Sequence, residues 1–360
     1  MADTSAPFRY GVIGTGMMGV EHIENINHIP GATVAAYADP HPDSRAAAHT
    51  LTDNAREFED YRDLLESDVV DAVVIATPNH THIDVLAAAM KTDLHILVEK
   101  PLCITVEDCR RVIEWSRSRH AVTWVGLEYR YMPPVTRLID EVRGGTVGDV
   151  RMVSIREHRF PFLRKVGDWN RFNRNSGGTM VEKCCHFFDL MNEIIDSNPV
   201  RVVASGGQDV NHLDEEYDGH TPDILDNAYA VVEYANGVRA MLDLCMFAEA
   251  TRNQEEVVAV GTQGKVEAFL PEKVLRIGRR GTHFVGDVEE HHIDDDRITY
   301  EGHHHGSSQL EHLDFIRTCR AGTTPEVTLE DGLLAVAMGI AAQRSIETGT
   351  WVDIADILIS

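Results

Sequence analysis

The sequence predicts an α/β domain followed by an α+β domain, and three observations carry that expectation. Strand-like and helix-like runs alternate through the first third of the chain. A glycine-rich turn joins the first strand to the first helix, and beyond about residue 125 the rhythm changes to a succession of strands. A chain of 360 residues exceeds what one hydrophobic core usually serves, so two domains are expected, residues 1–126 and 127–360.

The first element is the apolar strand Phe8 to Ile13. It turns through Gly14-Thr15-Gly16-Met17-Met18-Gly19 into a helix that reaches Ile29, where Pro30-Gly31 ends it. This is the fingerprint of a Rossmann dinucleotide-binding domain. Gly14 permits the tight turn, Gly16 lets the backbone approach a pyrophosphate, and Gly19 lets helix and strand pack closely, with helix N-terminal amides facing the anion. A second strand, Thr33 to Ala38, finishes at Asp39, about twenty residues past the last glycine. A carboxylate there can accept both ribose hydroxyls of an adenosine and repels a 2′-phosphate. Pro40, His41 and Pro42 follow, with Arg45 the nearest cation. NAD is therefore favoured over NADP, the alternative being that Asp39 only begins an Asp-Pro turn.

Helices are expected from Ser44 to Leu51 and from Tyr61 to Leu65, then a strand from Ala72 to Ala76. That strand opens into Thr77-Pro78-Asn79-His80-Thr81-His82 at the carboxyl end, where such sheets hold ligands, so Thr77, Pro78, Asn79 and His82 join the cofactor-binding candidates. A helix from Ile83 to Lys91 leads to the strand Leu94 to Val98, which ends in Glu99-Lys100-Pro101. Two ionisable residues at a strand end, pinned by a proline, mark a site.

A formal net charge of -25 opposes nucleic acid and anionic membranes as partners. No stretch reads as a signal peptide or a membrane span, so a cytoplasmic protein is expected. The six cysteines form no Cys-x-x-Cys pair, which suggests neither a zinc site nor a redox couple.

Taken in succession, Gly14-Thr15-Gly16-Met17-Met18-Gly19, Ala76-Thr77-Pro78-Asn79-His80 and Glu99-Lys100-Pro101 resemble the Gfo/Idh/MocA oxidoreductases, which include glucose-fructose oxidoreductase and inositol dehydrogenases. Tyr129-Arg130-Tyr131 resembles the family's aromatic-Arg-aromatic segment. Gly177-Gly178-Thr179 with Glu182, His186 and Asp189 resembles its second catalytic motif, and the likeness runs from about Phe8 to Ile354. The resemblance implies an NAD-dependent oxidoreductase acting on a secondary hydroxyl of a sugar, sugar derivative or cyclitol, or reducing the corresponding ketone. The same family also implies an alternative, an NAD-recycling enzyme that cleaves glycosides by oxidation and elimination. A regulatory protein that binds NAD and a sugar without chemistry has no need of Lys100 and His186.

If Thr179 to Ile195 is one helix, Glu182 and His186 are four residues apart, and Asp189 is seven from Glu182, so the three share a face. Phe187, Phe188, Leu190, Met191 and Ile194 read as core. Oxidising an alcohol requires a group that takes the hydroxyl proton, and a neutral imidazole with an unperturbed pKa of about 6.5 suits that task. His186 is the candidate base. Lys100, expected in the same cleft, would hydrogen-bond the substrate oxygen and stabilise developing alkoxide. The resembled family assigns these roles to the matching Lys and His. The reverse, with Lys100 as base, requires burial to depress its pKa.

Several positions depart from the family pattern. Glu182 stands where many relatives carry Asp, Cys184 where they carry Gly, and Glu128 where they often carry an amide. Glu182 is one methylene longer than Asp, so a carboxylate that orients His186 or binds a substrate hydroxyl acts from a shifted position. Lys183 adds a cation beside the motif, either as a solvated residue or as a substrate ligand.

Strands are expected at Val150 to Phe160, Val200 to Val210, Asn227 to Tyr234, Val238 to Phe247, Glu255 to Val260, Lys265 to Leu270 and Val274 to Ile277, with Asn236-Gly237 as a hairpin turn. They make a largely antiparallel open sheet covered by helices, whose other face invites a partner subunit. Family relatives commonly pair through it, implying a homodimer or homotetramer. The loop Pro161 to Ser176 contains Trp169, which the resemblance places against the substrate; an indole face suits the C–H surface of a sugar ring, although packing the loop down would also explain it. Arg130 and His158 are further candidates for that pocket. The cluster His303-His304-His305 reads as a loop before a helix from Ser308 to Ala321, not as a metal site. After a helix from Leu329 to Thr348, the segment from about residue 350 should return to the first domain.

Overall fold

Strands whose residues are apolar on both faces stack into the first sheet of a computed structural model that describes residues 6–281 and 285–359. The chain begins β1 (Phe8–Ile13), α1 (Met17–Asn27), β2 (Ala32–Ala38), α2 (Pro42–Leu51), β3 (Arg56–Phe58) and α3 (Tyr61–Leu65). It continues β4 (Ala72–Ile75), α4 (His82–Ala89), β5 (His95–Glu99), α5 (Val106–Ser116) and β6 (Thr123–Gly126). The six strands are parallel in the order β3-β2-β1-β4-β5-β6, the doubly wound arrangement. Every residue of β4 is buried, as a central parallel strand with helices on both faces requires.

The second sheet follows α6 (Pro133–Arg143). Its members are β7 (Val150–His158) and, after the short helices α7 (Asn173–Ser176) and α8 (Thr179–Glu182) and the helix α9 (Cys185–Ile195), β8 (Pro199–Gly207), β9 (Asn227–Tyr234), β10 (Arg239–Cys245), β11 (Glu255–Gly261), β12 (Gly264–Leu270), β13 (Val274–Arg279) and β14 (Glu289–His292). The chain ends with α10 (Ser307–Ala321), α11 (Leu329–Thr348), β15 (Val352–Asp353) and α12 (Ile354–Ile359). The nine strands run β14-β13-β12-β11-β7-β10-β9-β8-β15, antiparallel except for β7 against β10. β3, β6, β14 and β15 were not expected, since each is only two to four residues long, and β3 and β14 are also charged.

The chain divides into two units with a more interleaved course than one boundary near residue 126. The first holds the described residues up to Glu128 together with Lys165–Trp169 and Arg297–Val336; the second holds Tyr129–Arg164, Asn170–Asp296 and the residues from Ala337 onward. In the first, Phe315 of α10 meets the rings of Phe8, Tyr10 and Trp124, and the Trp124 indole donates to Glu311 at 3.1 Å. The expectation that the terminal segment returns to the first domain is corrected: Val352 pairs with Val202 and Asp353 with Arg201, making β15 an edge strand of the second sheet. Burial of Val352, Ile354 and Ile357 holds it there.

Candidate active site

In the first unit the glycine turn has the geometry its sequence requires. Gly14 sits at φ +87°, and a Cβ on Gly19 would lie 1.9 Å from the Gly14 carbonyl oxygen, so α1 can meet β1 only without a side chain there. A Cβ on Gly16 would meet nothing within 4 Å, and the neighbouring Thr15 hydroxyl is buried with no hydrogen-bond partner. Room beside the turn, an unspent hydroxyl and the half-buried Met17 and Met18 at the helix start fit a pyrophosphate against these amides. Asp39 is buried at the end of β2. Its Oδ2 accepts from the Thr15 amide and its Oδ1 from the His41 amide, both at 2.8 Å. Arg45 bonds Glu57 and the carbonyls of Asp39 and Pro40.

The loops after β4 and β5 are tied together by His82, which corrects its assignment as a cofactor ligand. The ring is fully buried, with Nδ1 2.9 Å from the Pro101 carbonyl oxygen and Nε2 3.0 Å from that of Thr77, so it braces Thr77-Pro78-Asn79 against the Lys100-Pro101 turn. Asn79 is buried, and Thr77 Oγ1 accepts from Thr81 at 2.9 Å. Trp169 stands on this same unit, its ring 6.5 Å from that of His80 and 4.7 Å from the Lys165 ammonium.

Lys100 is half-buried, and its amide donates to Glu99 Oε2 at 3.1 Å. Behind Glu99 runs a buried chain: Glu99 Oε1 to His22 Nε2 at 2.8 Å, His22 Nδ1 to His312 Nε2 at 2.9 Å, and His312 Nδ1 to the Tyr10 hydroxyl at 3.2 Å. Burial opposes charge on Glu99, but the hydrogen bond from His22 together with the cationic surroundings, Lys100 among them, outweighs it and brings the carboxyl down to about 2. Burial holds His312 well below the usual imidazole range, hence neutral. Nearby, Glu21 Oε1 accepts from the His303 amide at 2.9 Å and lies 3.2 Å from His304 Nδ1, while Glu128 Oε1 is 3.6 Å from His304 Nε2. Burial, then the charge of Glu99, pushes the Glu128 carboxyl up against the opposing pull of His304. The histidine loop is thus drawn into the surroundings of Glu99. Among the described residues no group of three His, Cys, Asp or Glu is placed to hold a metal.

The second unit holds the remaining candidates. The expected single helix from Thr179 to Ile195 is interrupted: the amides of Lys183 and Cys184 both donate to Thr179 O, and those of Phe187 and Phe188 both donate to Cys184 O. This doubling breaks the regular ladder, so Glu182 ends α8 and His186 lies in the first turn of α9. Both are buried. His186 stacks on Tyr129 with ring centroids 4.1 Å apart and planes 11° from parallel. Lys183 is neither solvated nor at an open surface. Its ammonium is buried, 2.5 Å from the Tyr129 hydroxyl and 2.9 Å from Glu157 Oε1.

Two substrate-binding assignments are corrected. Arg130 is buried and spends its guanidinium on α9, Nε at 2.7 Å and Nη2 at 2.5 Å on Asp189 and Nη1 at 3.1 Å on Glu193, a bidentate pair that anchors the helix. His158 faces away from Glu157 by the alternation of β7, and its Nε2 lies 3.2 Å from Asp243 on the outer face of the sheet. Glu157 and Glu255, which do reach the Lys183 and Tyr129 cluster, were not singled out in the sequence.

Residues 8–127 match a family model described as an oxidoreductase family NAD-binding Rossmann fold, and residues 139–354 one described as an oxidoreductase family C-terminal alpha/beta domain. The myo-inositol 2-dehydrogenase of Thermotoga maritima is 27% identical over 97% of this chain and 99% of its own length. The 2,7-anhydro-N-acetylneuraminate hydratase of Escherichia coli is 25% identical over 80% of this chain and 75% of its own. A levoglucosan dehydrogenase structure in complex with NADH and levoglucosan superposes with a TM-score of 0.83 at 19% identity, covering 96% of this chain and 99% of that one, a likeness of fold.

Proposed function

Because the chain belongs to the Gfo/Idh/MocA oxidoreductase family, we propose that it oxidises a secondary hydroxyl of a sugar, sugar derivative or cyclitol, or reduces the corresponding ketone. The full-length likeness to a myo-inositol dehydrogenase carries this reading. NAD, held by the Gly14 to Gly19 turn and Asp39, supplies the hydride acceptor when bound. His186 takes the hydroxyl proton, Glu182 orients it or binds a substrate hydroxyl, and the ammonium of Lys100 stabilises negative charge on the substrate oxygen. Ionised Glu99 next to Lys100 favours the charged ammonium that this role needs. Trp169, beside His80, is proposed as the apolar surface for a sugar ring.

NAD is preferred to NADP because Asp39 presents a carboxylate where a 2′-phosphate would sit, and Arg45 is committed to Glu57 and two carbonyls. Assembly through the outer face of the nine-stranded sheet is part of the same reading. The hydratase relative supports a second reading, in which NAD is recycled in place during an oxidation and elimination.

A panel of sugars and cyclitols assayed with NAD and with NADP, following absorbance of the reduced nicotinamide, tests both. Stoichiometric reduction of NAD by a polyol supports the dehydrogenase; product formed with no net reduction supports the second reading; neither product nor reduction with any member removes both.

A further inference from the structure

One buried cluster of the second unit has no part in the roles assigned so far. The Tyr129 ring lies flat on His186, and its hydroxyl is held from two sides: the Lys183 ammonium at 2.5 Å and Glu255 Oε1 at 3.4 Å. Glu157 and Glu255 stand directly opposite each other on β7 and β11 and are 0% and 1% exposed. Lys183 and Arg159 neutralise them, with Glu157 Oε1 2.9 Å from the ammonium and 3.3 Å from the guanidinium, and Gln254 donates to Glu255. Two facing buried acids destabilise a sheet unless something nearby needs their charge or their acceptors. Here Glu157 accepts from the Lys183 ammonium and Glu255 from the Tyr129 hydroxyl, so one oxygen of each acid helps to fix the phenol beneath the imidazole.

Resting on the reading of His186 as the proton acceptor, we propose that Lys183 is a positioning residue: with Glu157 and Glu255 it locks Tyr129, and Tyr129 sets the plane and electrostatic surroundings of the His186 imidazole. The ring of Tyr129 is the only link required. Lys183 sits at the break between α8 and α9 with its ammonium on Glu157 of β7, so the break and the buried ammonium serve one arrangement. Burial pulls the Lys183 ammonium below its ordinary range against the charge of Glu157, and pushes Glu255 up to about 7.

The test measures kcat, KM for NAD and the pH profile of kcat/KM in Tyr129→Phe, Lys183→Met and the charge-conserving pair Lys183→Met/Glu157→Gln, using whichever polyol the panel identifies. Thermal unfolding selects the folded variants, and the pair guards against failure of the single change. Tyr129→Phe and the pair are expected to lower kcat about tenfold with KM for NAD within twofold of the parent. Lys183→Met should also move the acid limb of the profile to higher pH by about half a unit, because a cation near the imidazole is lost. His186→Ala serves as the reference. If it is inactive while folded Tyr129→Phe and the pair keep the parent's kcat and profile, the positioning role is overturned and the base assignment stands. If His186→Ala retains full turnover, the base assignment falls and this inference with it.

Discussion

Replacing Lys100 by Met keeps the length of the side chain and removes its charge, and His186→Ala removes the proposed proton acceptor. Each should lower kcat by about 10²- to 10⁴-fold while leaving NAD affinity nearly unchanged, read by steady-state kinetics and nucleotide titration. Unchanged turnover in either removes that residue from the mechanism. Asp39→Ala bears on the cofactor. The carboxylate also accepts from the Thr15 and His41 amides, so both nucleotides bind less well without it, and the ratio is the readout: KM for NAD should rise at least about tenfold more than KM for NADP. Equal losses overturn the ribose assignment. Asp39, Glu99 and Lys100 were legible because an ionisable residue closing an apolar strand has few structural reasons to be there. Glu157 and Glu255 were not, because a Glu in an alternating strand reads as solvent-facing until the pairing of β7 with β11 puts two of them face to face inside.

The elements that the sequence located best are those with strong punctuation: β1 and β9 begin and end as expected, as do α3 and α11. The break after Glu182 escaped notice because helical spacing continues through it, and only the doubled bonding at Thr179 O and Cys184 O reveals two helices. Pairing of β7 with β11 carries a measurable consequence for stability. Burial keeps Glu255 protonated in the folded chain up to about pH 7, whereas the unfolded chain releases that proton near 4.5. Between those values the folded state binds the extra proton, so this group lowers stability as pH rises, by up to about 1.4 kcal/mol per pH unit. Glu255→Gln should flatten that fall between pH 4.5 and 7 in urea titrations, with the difference in slope from the parent as the measure. Parallel slopes would place the proton elsewhere.

For the whole molecule, two sheets of different type follow from the change of rhythm near residue 125, but the interleaved course of the chain does not. Attachment of Arg297–Val336 to the first unit depends on Phe315, Glu311 and His312 finding partners that no local pattern announces. No helix among the described residues is long and apolar enough to cross a membrane. The second sheet leaves apolar residues exposed on one face. Strand register places Met152, Met241 and Tyr229 on one face, with Met241 opposite Ser154 and Val231, and Tyr229 opposite Asp243; they are 59%, 41% and 62% exposed. Exposed apolar side chains in the middle of an open sheet, set among polar neighbours such as Ser154 and Asp243, are expected to be buried against a second copy through the same face, which a two-fold axis permits with one self-complementary surface. Light scattering at micromolar concentration should give a dimer or tetramer mass, and Met241→Asp combined with Tyr229→Lys should reduce it to the monomer with little change in the thermal unfolding of the subunit. A monomeric parent protein, or a variant that keeps the parent's mass, would locate the assembly surface elsewhere or remove it.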